Sequence, residues 1–447
     1  MTGIRLPERP KFLIARSDML GDLITATALI APLIEAYPGA RVYFLCRPEC
    51  ASLVMAIPGV EGVVEDTQAY DGRVGSPEFS DVLHRVISHR FDVMINLWEH
   101  PRYAKLAKMA GIPIRIGHAI GWTNRWCHTH RVHLNYQDYH RHKVAMNLAT
   151  LHPLGISVAD APLALSVSDS VRHDLTVRWP VIAGPYRVLA VDAGAKVKCL
   201  TDDELVPVIT ELLAMESTPV LLVGHSIANA SDSTLAWMSA QERLIDLTGR
   251  TSLLDVVAIL THSRYFVGPD SGISHIAAAV GCPSLVIYRT RTQNAFHWAP
   301  WLSPHVILKQ QNRCMDHCRP LSCSQCTRTV ITPSAVSYYV GHLLSGSDGS
   351  DGTLSSQYAY WERVGHQAAI FCDDDQFLAV KNGCPTEWQP IHLRPTDSMV
   401  SLKTQLVDRN INLVICPGHI PIKLRLACIW ASNFSHFLPM IRRHSHP

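Results

Sequence analysis

A chain of 447 residues, 47% of them hydrophobic, is long enough for two or three domains with real cores. Its formal net charge of +2 argues against a dedicated nucleic-acid binder, and no window reaches the roughly eighteen uncharged apolar residues of a membrane-spanning helix. Residues 1–18 lack the apolar core and cleavage site of a secretion signal, so the expected compartment is the cytoplasm, where the 13 cysteines stay mostly reduced.

The first elements read as an α/β unit. Lys11 to Ala15 is a short strand of buried type, and it runs into Arg16-Ser17-Asp18-Met19-Leu20-Gly21-Asp22. A helix follows, apolar nearly all round and therefore buried, and it stops at Pro38-Gly39. Residues 40–46 form the next strand. The loop carries neither a Walker lysine nor GxGxxG. Asp18 and Asp22 follow the carboxyl end of a strand, where open α/β sheets bind ligands. Asp18 is read as a helix cap. Asp22 either caps the helix or serves as a general base.

The alternation continues with strands at 59–65, 91–97 and 114–117 and helices at 77–90 and after Pro101. From Pro101 to Ala145 there are eight Lys/Arg, six His and one acid, Asp138. Such a cluster is ordinarily solvated surface. On the ligand side of the domain it would also suit an anionic acceptor or anionic lipid headgroups. Asp18, Asn96, Arg102 and Lys105 are the candidate acceptor contacts.

Residues 157–185 read as a connector. A second α/β pattern then begins with a strand at 186–194 and the turn Gly194-Ala195-Lys196-Val197-Lys198. Thr201 and Glu204 have capping-box spacing at the start of the next helix. Strands at 219–224 and from Leu244, and a helix from Ser252, lead to Phe266 to Pro283, FVGPDSGISHIAAAVGCP. This stretch reads as strand, tight loop and helix N-terminus. Asp270 or Ser271 can cap that helix, its free N–H groups can receive phosphate, and His275 in the first turn can face the same ligand. A capped core helix fits the local pattern equally well. Two successive doubly wound halves place a cleft between them.

Cys314, Cys318, Cys323 and Cys326 form C-x3-C-x4-C-x2-C, with His317 inside. They are either reduced loop thiols or a structural zinc or iron site. Residues 331–344 read as a closing helix and 345–356 as a Gly/Ser/Asp linker. Residues 357–447 contain strand-like runs (367–372, 377–380, 412–416) and a basic, apolar end bearing Lys423, Arg425, Arg442 and Arg443. That end is either a membrane-surface segment or a strand and helix of a small extra domain. Asp373-Asp374-Asp375 reads as a solvated turn.

The order and spacing of several of these pieces resemble glycosyltransferase family 9, the ADP-heptose:lipopolysaccharide heptosyltransferases, over about residues 10–345. The pieces are Arg16 to Asp22, Tyr37 to Ala40, Phe91-Asp92 to Asn96-Leu97, Ala193-Gly194 with Lys198, Leu247 to Leu253, and Gly268 to Pro283. The resemblance implies a GT-B fold of two Rossmann-like domains, residues 1–165 and 175–345. It implies inverting, metal-independent transfer of heptose from ADP-heptose to an anionic lipopolysaccharide inner-core sugar, at the cytoplasmic face of the inner membrane. Asp22 matches the catalytic base. Ala193, Gly194, Lys198, Thr251, Asp270, Ser271, Gly272 and His275 match the donor site, with Lys198 on phosphate. Ser271 stands where Thr is usual, Cys199-Leu200-Thr201 replaces an aromatic and proline after Lys198, and no acid follows Gly224. These departures leave the exact sugar nucleotide open. So do two other readings: the same fold acting on a protein or other surface glycan, and a non-catalytic sugar-nucleotide binder.

Overall fold

The computed structural model describes residues 4–68, 73–98, 100–134, 141–227, 230–289, 295, 297–308, 331 and 333–344, and the segments 367–371, 391–394, 411–416 and 436–439. They fall into two compact units.

The first unit is built on two six-stranded sheets. The amino-terminal sheet comprises β1 (Lys11–Ala15), β2 (Arg41–Cys46), β3 (Val60–Glu65), β4 (Val93–Asn96), β5 (Ile114–His118) and β6 (His130–Val132). The second comprises β7 (Arg187–Ala190), β8 (Val220–Val223), β9 (Leu244–Asp246), β10 (Phe266–Pro269), β11 (Ser284–Ile287) and β12 (His305–Leu308). The first runs in the order β3-β2-β1-β4-β5-β6, and its strands are parallel throughout. The second runs β12-β11-β10-β7-β8-β9, the same winding repeated. Continuous apolar runs such as Phe12–Ala15 and Val220–Val223 are buried on both faces, as strands covered by helices require. In each sheet the strand order reverses between the first and fourth strands, and open α/β sheets bind ligands beside that point. Here the switch points lie between β1 and β4 and between β7 and β10.

The second unit contains a parallel sheet of four strands, β13 (Gln367–Phe371), β14 (Ile391–Leu393), β15 (Ile411–Cys416) and β16 (His436–Pro439), ordered β14-β13-β15-β16. β13 and β15 coincide with expected strands. β16 lies within the basic, apolar end, so these four residues form a strand, as the small-extra-domain reading expects. The cysteine run, the linker at 345–356, residues 377–380 and Asp373 to Asp375 lie outside the described residues.

Three further differences from the sequence reading have physical causes. The connector contains a helix, Asp169–Arg178, which is missed because Leu175 is its one fully buried apolar residue. Arg178 fastens that helix to the Asp255 carboxylate at 2.5 Å. Short elements between Trp122 and Ala149 have too few residues to show a period. Asp18 does not cap the first helix, whose N-cap is Met19.

The two halves of the first unit are tied together beside β11. The Lys143 N–H donates to the His297 carbonyl at 2.9 Å. His142 donates through Nε2 to the Ala299 carbonyl at 2.8 Å, while its Nδ1 accepts from the Val144 N–H at 3.1 Å. The Trp301 indole donates to the Ala161 carbonyl at 2.9 Å. Burial pushes the His142 pKa down to about 3, and that of buried His128 down to about 4. The unfolded chain, with histidines near about 6.5, therefore binds more protons than the folded one below that pH. Stability is complete above about pH 6.5 and declines as the pH falls towards these folded-state values. Urea midpoints should be level from pH 8 to 7 and fall between about 6.5 and 5, before ordinary carboxylates titrate. A midpoint unchanged down to pH 5 would remove the buried neutral histidines from the account.

Candidate active site

The site forms where the loop after β1 meets the loop after β10. After Ala15 the chain leaves the sheet through Arg16, Ser17 and Asp18 and enters the helix Leu20–Ala26. Arg16 is 3% exposed. Its guanidinium contacts Asp18 at 2.7 Å, pairs with Asp22, and donates to the Leu97 carbonyl. One buried cation thus holds both acids of the loop. Ser17 donates to the Tyr103 hydroxyl, which donates to Asp66 at 2.8 Å. Asn96 ends β4, in register with Ala15, and its amide oxygen accepts from the Trp98 N–H at 3.3 Å.

In the second half, β10 delivers Asp270 to the start of the helix Gly272–Ala279. The Ser274 hydroxyl accepts from the Ser271 N–H at 3.3 Å and donates to the Ser271 carbonyl at 2.7 Å, closing the first turn. Lys198 reaches across from the loop after β7 and donates to Asp270 Oδ2 at 2.8 Å and to the Asp270 carbonyl at 3.3 Å. Its own loop is braced by Cys199, whose sulfur accepts from the Ala193 N–H at 3.4 Å. Ala193 and Gly194 lie on the outer side of that loop, Gly194 exposed. Asp192 accepts from the His225 and Ser226 N–H groups at 2.8 and 3.1 Å. A Cβ on Gly224, at φ +143°, would lie 2.4 Å from that carboxylate. Half-buried Thr251 precedes Ser252, which caps the helix Leu253–Thr261. The loops holding Lys198, His225, Thr251 and Asp270 all leave the carboxyl ends of the neighbouring strands β7, β8, β9 and β10.

The helices Leu20–Ala26 and Gly272–Ala279 pack directly against each other, glycine to side chain in both directions. A Cβ on Gly21 would lie 2.6 Å from the His275 ring, and one on Gly272 would lie 2.7 Å from the Leu20 side chain. His275 is 3% exposed and sits between Gly21 and the edge of Trp298, with ring centroids 5.8 Å apart. Burial, opposed by Asp270 and reinforced by Lys198, lowers its pKa and keeps it neutral. The segment holding Asp22 is thus packed against the helix that follows Asp270 and Ser271, to which Lys198 is bonded, and His275 is buried between them.

Arg102 is placed differently from the sequence reading. It is 1% exposed and grips Asp66 with two hydrogen bonds, of 3.1 and 3.0 Å, with its guanidinium 4.9 Å from the Phe79 ring centroid. Its charge is consumed inside the domain, because a buried carboxylate needs a partner. Lys105 on the same helix is half-buried. The sequence reading overlooked Arg16, Asp192 and Tyr103. An Arg closing a buried strand, with acids two and six residues on, was the available signal for Arg16. Nothing local marks Tyr103, whose partners are distant in the chain.

The family model of glycosyltransferase family 9 (heptosyltransferase) matches residues 81–327, more than half of the chain. The chain belongs to glycosyltransferase family 9. Among the transferase's relatives, lipopolysaccharide heptosyltransferase 3 of Escherichia coli (strain K12) is 24% identical over 293 residues, 63% of this chain and 82% of the relative. A glycosyl transferase family 9 structure from Veillonella parvula DSM 2008 covers 77% of this chain and 100% of its own, at 17% identity and a TM-score of 0.63. The E. coli ADP-heptose lps heptosyltransferase II structure covers 76% and 100%, at 19% identity and a TM-score of 0.58. The two repeated windings form the GT-B fold of these enzymes. No described helix of the transferase is long and apolar enough to cross a membrane. Among the described residues, no group of three or more His, Cys, Asp or Glu could hold a metal ion.

Replacing Arg102 by Ala in the transferase should cost about 3–5 kcal/mol of stability, because Asp66 would be left charged and unpaired in the interior. Urea unfolding measures this. A loss under about 1 kcal/mol, the range of an exposed pair, would return Arg102 to the surface.

Proposed function

We propose that this glycosyltransferase moves heptose from ADP-heptose to a hydroxyl of a lipopolysaccharide inner-core sugar, with inversion. The observation that carries the reading is the direct packing of the Asp22 helix on the Gly272 helix. It sets a carboxylate beside a phosphate-type loop, as transfer from a nucleoside diphosphate sugar requires. The heptosyltransferase names of the relatives support heptose as the sugar.

In this mechanism the acceptor hydroxyl attacks the anomeric carbon as the bond from that carbon to the diphosphate oxygen breaks. Asp22 takes the hydroxyl proton, and Arg16 holds the carboxylate in place. The electron pair of the breaking bond goes to the leaving ADP. The Lys198 ammonium and the N–H groups opening the Gly272 helix take up the new negative charge. Asp270 keeps that ammonium at the helix mouth. Ala193, Gly194 and Thr251 line the nucleotide side, and His275 shapes the floor. Asp18, Asn96 and Lys105 lie towards the acceptor.

Two variants test the reading together. Asp22→Asn should lower turnover of ADP-heptose about a hundredfold or more and leave ADP affinity, measured by calorimetry, unchanged. Lys198→Ala should weaken ADP and ADP-heptose alike, since both present the diphosphate. Turnover of the Asp22 variant within about threefold of wild type would reject it as the base, far short of the loss expected for a general base. Unchanged ADP affinity in the Lys198 variant would reject the phosphate assignment.

A further inference from the structure

The amino-terminal half carries an exposed aromatic face that the transfer chemistry does not use. The short helix Trp122–Cys127 buries Asn124 and Cys127 against the domain and turns its tryptophans outwards. Trp122 is 83% exposed and Trp126 is 69% exposed. Four residues apart on a helix, they are neighbours on one face. Met109 and Ile120, also exposed, belong to the adjoining segments. Leaving four large apolar side chains in water is costly unless something covers them.

The charge around this face says what kind of surface covers it. The Lys108 ammonium lies 4.9 Å from the centre of the Trp126 ring, and exposed Arg125 stands between the two tryptophans in sequence. From Pro101 to Leu134 the chain holds six Lys/Arg and no Asp or Glu. Of these cations, Arg102 is consumed inside by Asp66, whereas Lys108, Arg125 and Arg131 are exposed. Exposed indoles set among cations without acids suit an anionic bilayer surface. The indoles enter the boundary between headgroups and chains, and the cations pair with lipid phosphates. A protein partner of balanced charge would not call for the absence of acids.

We infer that the face formed by Met109, Ile120, Trp122 and Trp126, with Lys108 and Arg125, docks the transferase on anionic phospholipid. Ile120 and Trp122 follow the carboxyl end of β5, whereas Lys108 and Met109 end the helix that leads into its amino end, so the face runs along the side of the sheet. The contact is reversible, because a few side chains and cations give only weak attachment compared with a spanning helix.

Co-sedimentation of the full-length chain with phosphatidylcholine vesicles, with and without phosphatidylglycerol, tests this without any donor sugar. Wild type should pellet with the anionic vesicles and much less with the neutral ones, and added salt should release it. Trp122→Ala with Trp126→Ala should lower partitioning by about tenfold or more, given the area two indoles bury. Lys108→Ala with Arg125→Gln should lower it by roughly fivefold for each cation removed. Thermal unfolding should stay close to wild type in both pairs, since the altered side chains are exposed and only the Arg125 Nε bond to the Ala119 carbonyl is lost. Wild type that ignores anionic vesicles, or variants that bind like wild type, would overturn the proposal. So would the tryptophan pair converting a dimer into a monomer with no vesicle binding, which makes the face a contact between copies of this chain. Because the vesicles carry no donor or acceptor sugar, failure here leaves the heptosyl-transfer reading untouched, and failure of Asp22→Asn leaves this one untouched.

Discussion

The joining of the two halves depends on how closely two helix starts approach. Gly21 lies against His275 and Gly272 against Leu20, each without room for a Cβ. Either glycine alone would let one helix near the other. Both together let the first turns meet face to face, Gly21 against His275 and Gly272 against Leu20. The same contact explains His275. A ring pressed against a glycine and the edge of a tryptophan has little access to water, so it stays uncharged and behaves as packing. Interiors packed to crystal density transmit such a constraint, because neighbouring side chains have nowhere to move.

Charge in the amino-terminal half is sorted by burial. Arg16 and Arg102 are both inside, and each is matched by carboxylates. They differ in what lies beyond. The Arg102–Asp66 pair is closed on all sides and joins, through Tyr103 and Ser17, the stem of the Arg16–Asp22 loop. Arg16 is closed behind, but the acids it holds are partly open, with 10% of Asp18 and 15% of Asp22 exposed. A guanidinium with a planar fork suits this task because it fixes two acceptors at once, which an ammonium cannot do with the same geometry. The loop is therefore anchored at two successive residues, through a charge and through a hydroxyl.

The donor half uses weaker, local braces. Cys199 closes the loop after β7 on Ala193, Asp192 of that loop holds the loop after β8 through the His225 and Ser226 N–H groups, and half-buried Lys198 meets buried Asp270. The Lys198 side chain is 30% exposed and that of Asp270 only 6%, so water reaches the ammonium while the carboxylate stays inside. Under the roles proposed for Asp22 and Lys198, a firmly anchored proton acceptor would stay in place while the donor enters and leaves.

Much of this was legible in the chain itself. Apolar runs of strand length alternating with capped or Gly/Pro-terminated helices define two doubly wound halves, because burial on both faces leaves no other pattern. The loop Arg16 to Asp22 and the stretch Gly268 to Pro283 mark the site, because turn residues and a helix start after a strand are local features. The helix Asp169–Arg178, with its single buried leucine, left almost no periodic trace. What only the tertiary structure decided are the partnerships between distant residues. Arg102 and Lys108 belong to the same basic run, yet one is locked on Asp66, 36 residues away, and the other lies over an exposed tryptophan. Sequence spacing reports which face of an element a residue occupies. It does not report what the opposing element brings to that face, and for a charged side chain that partner decides whether it is structure or surface.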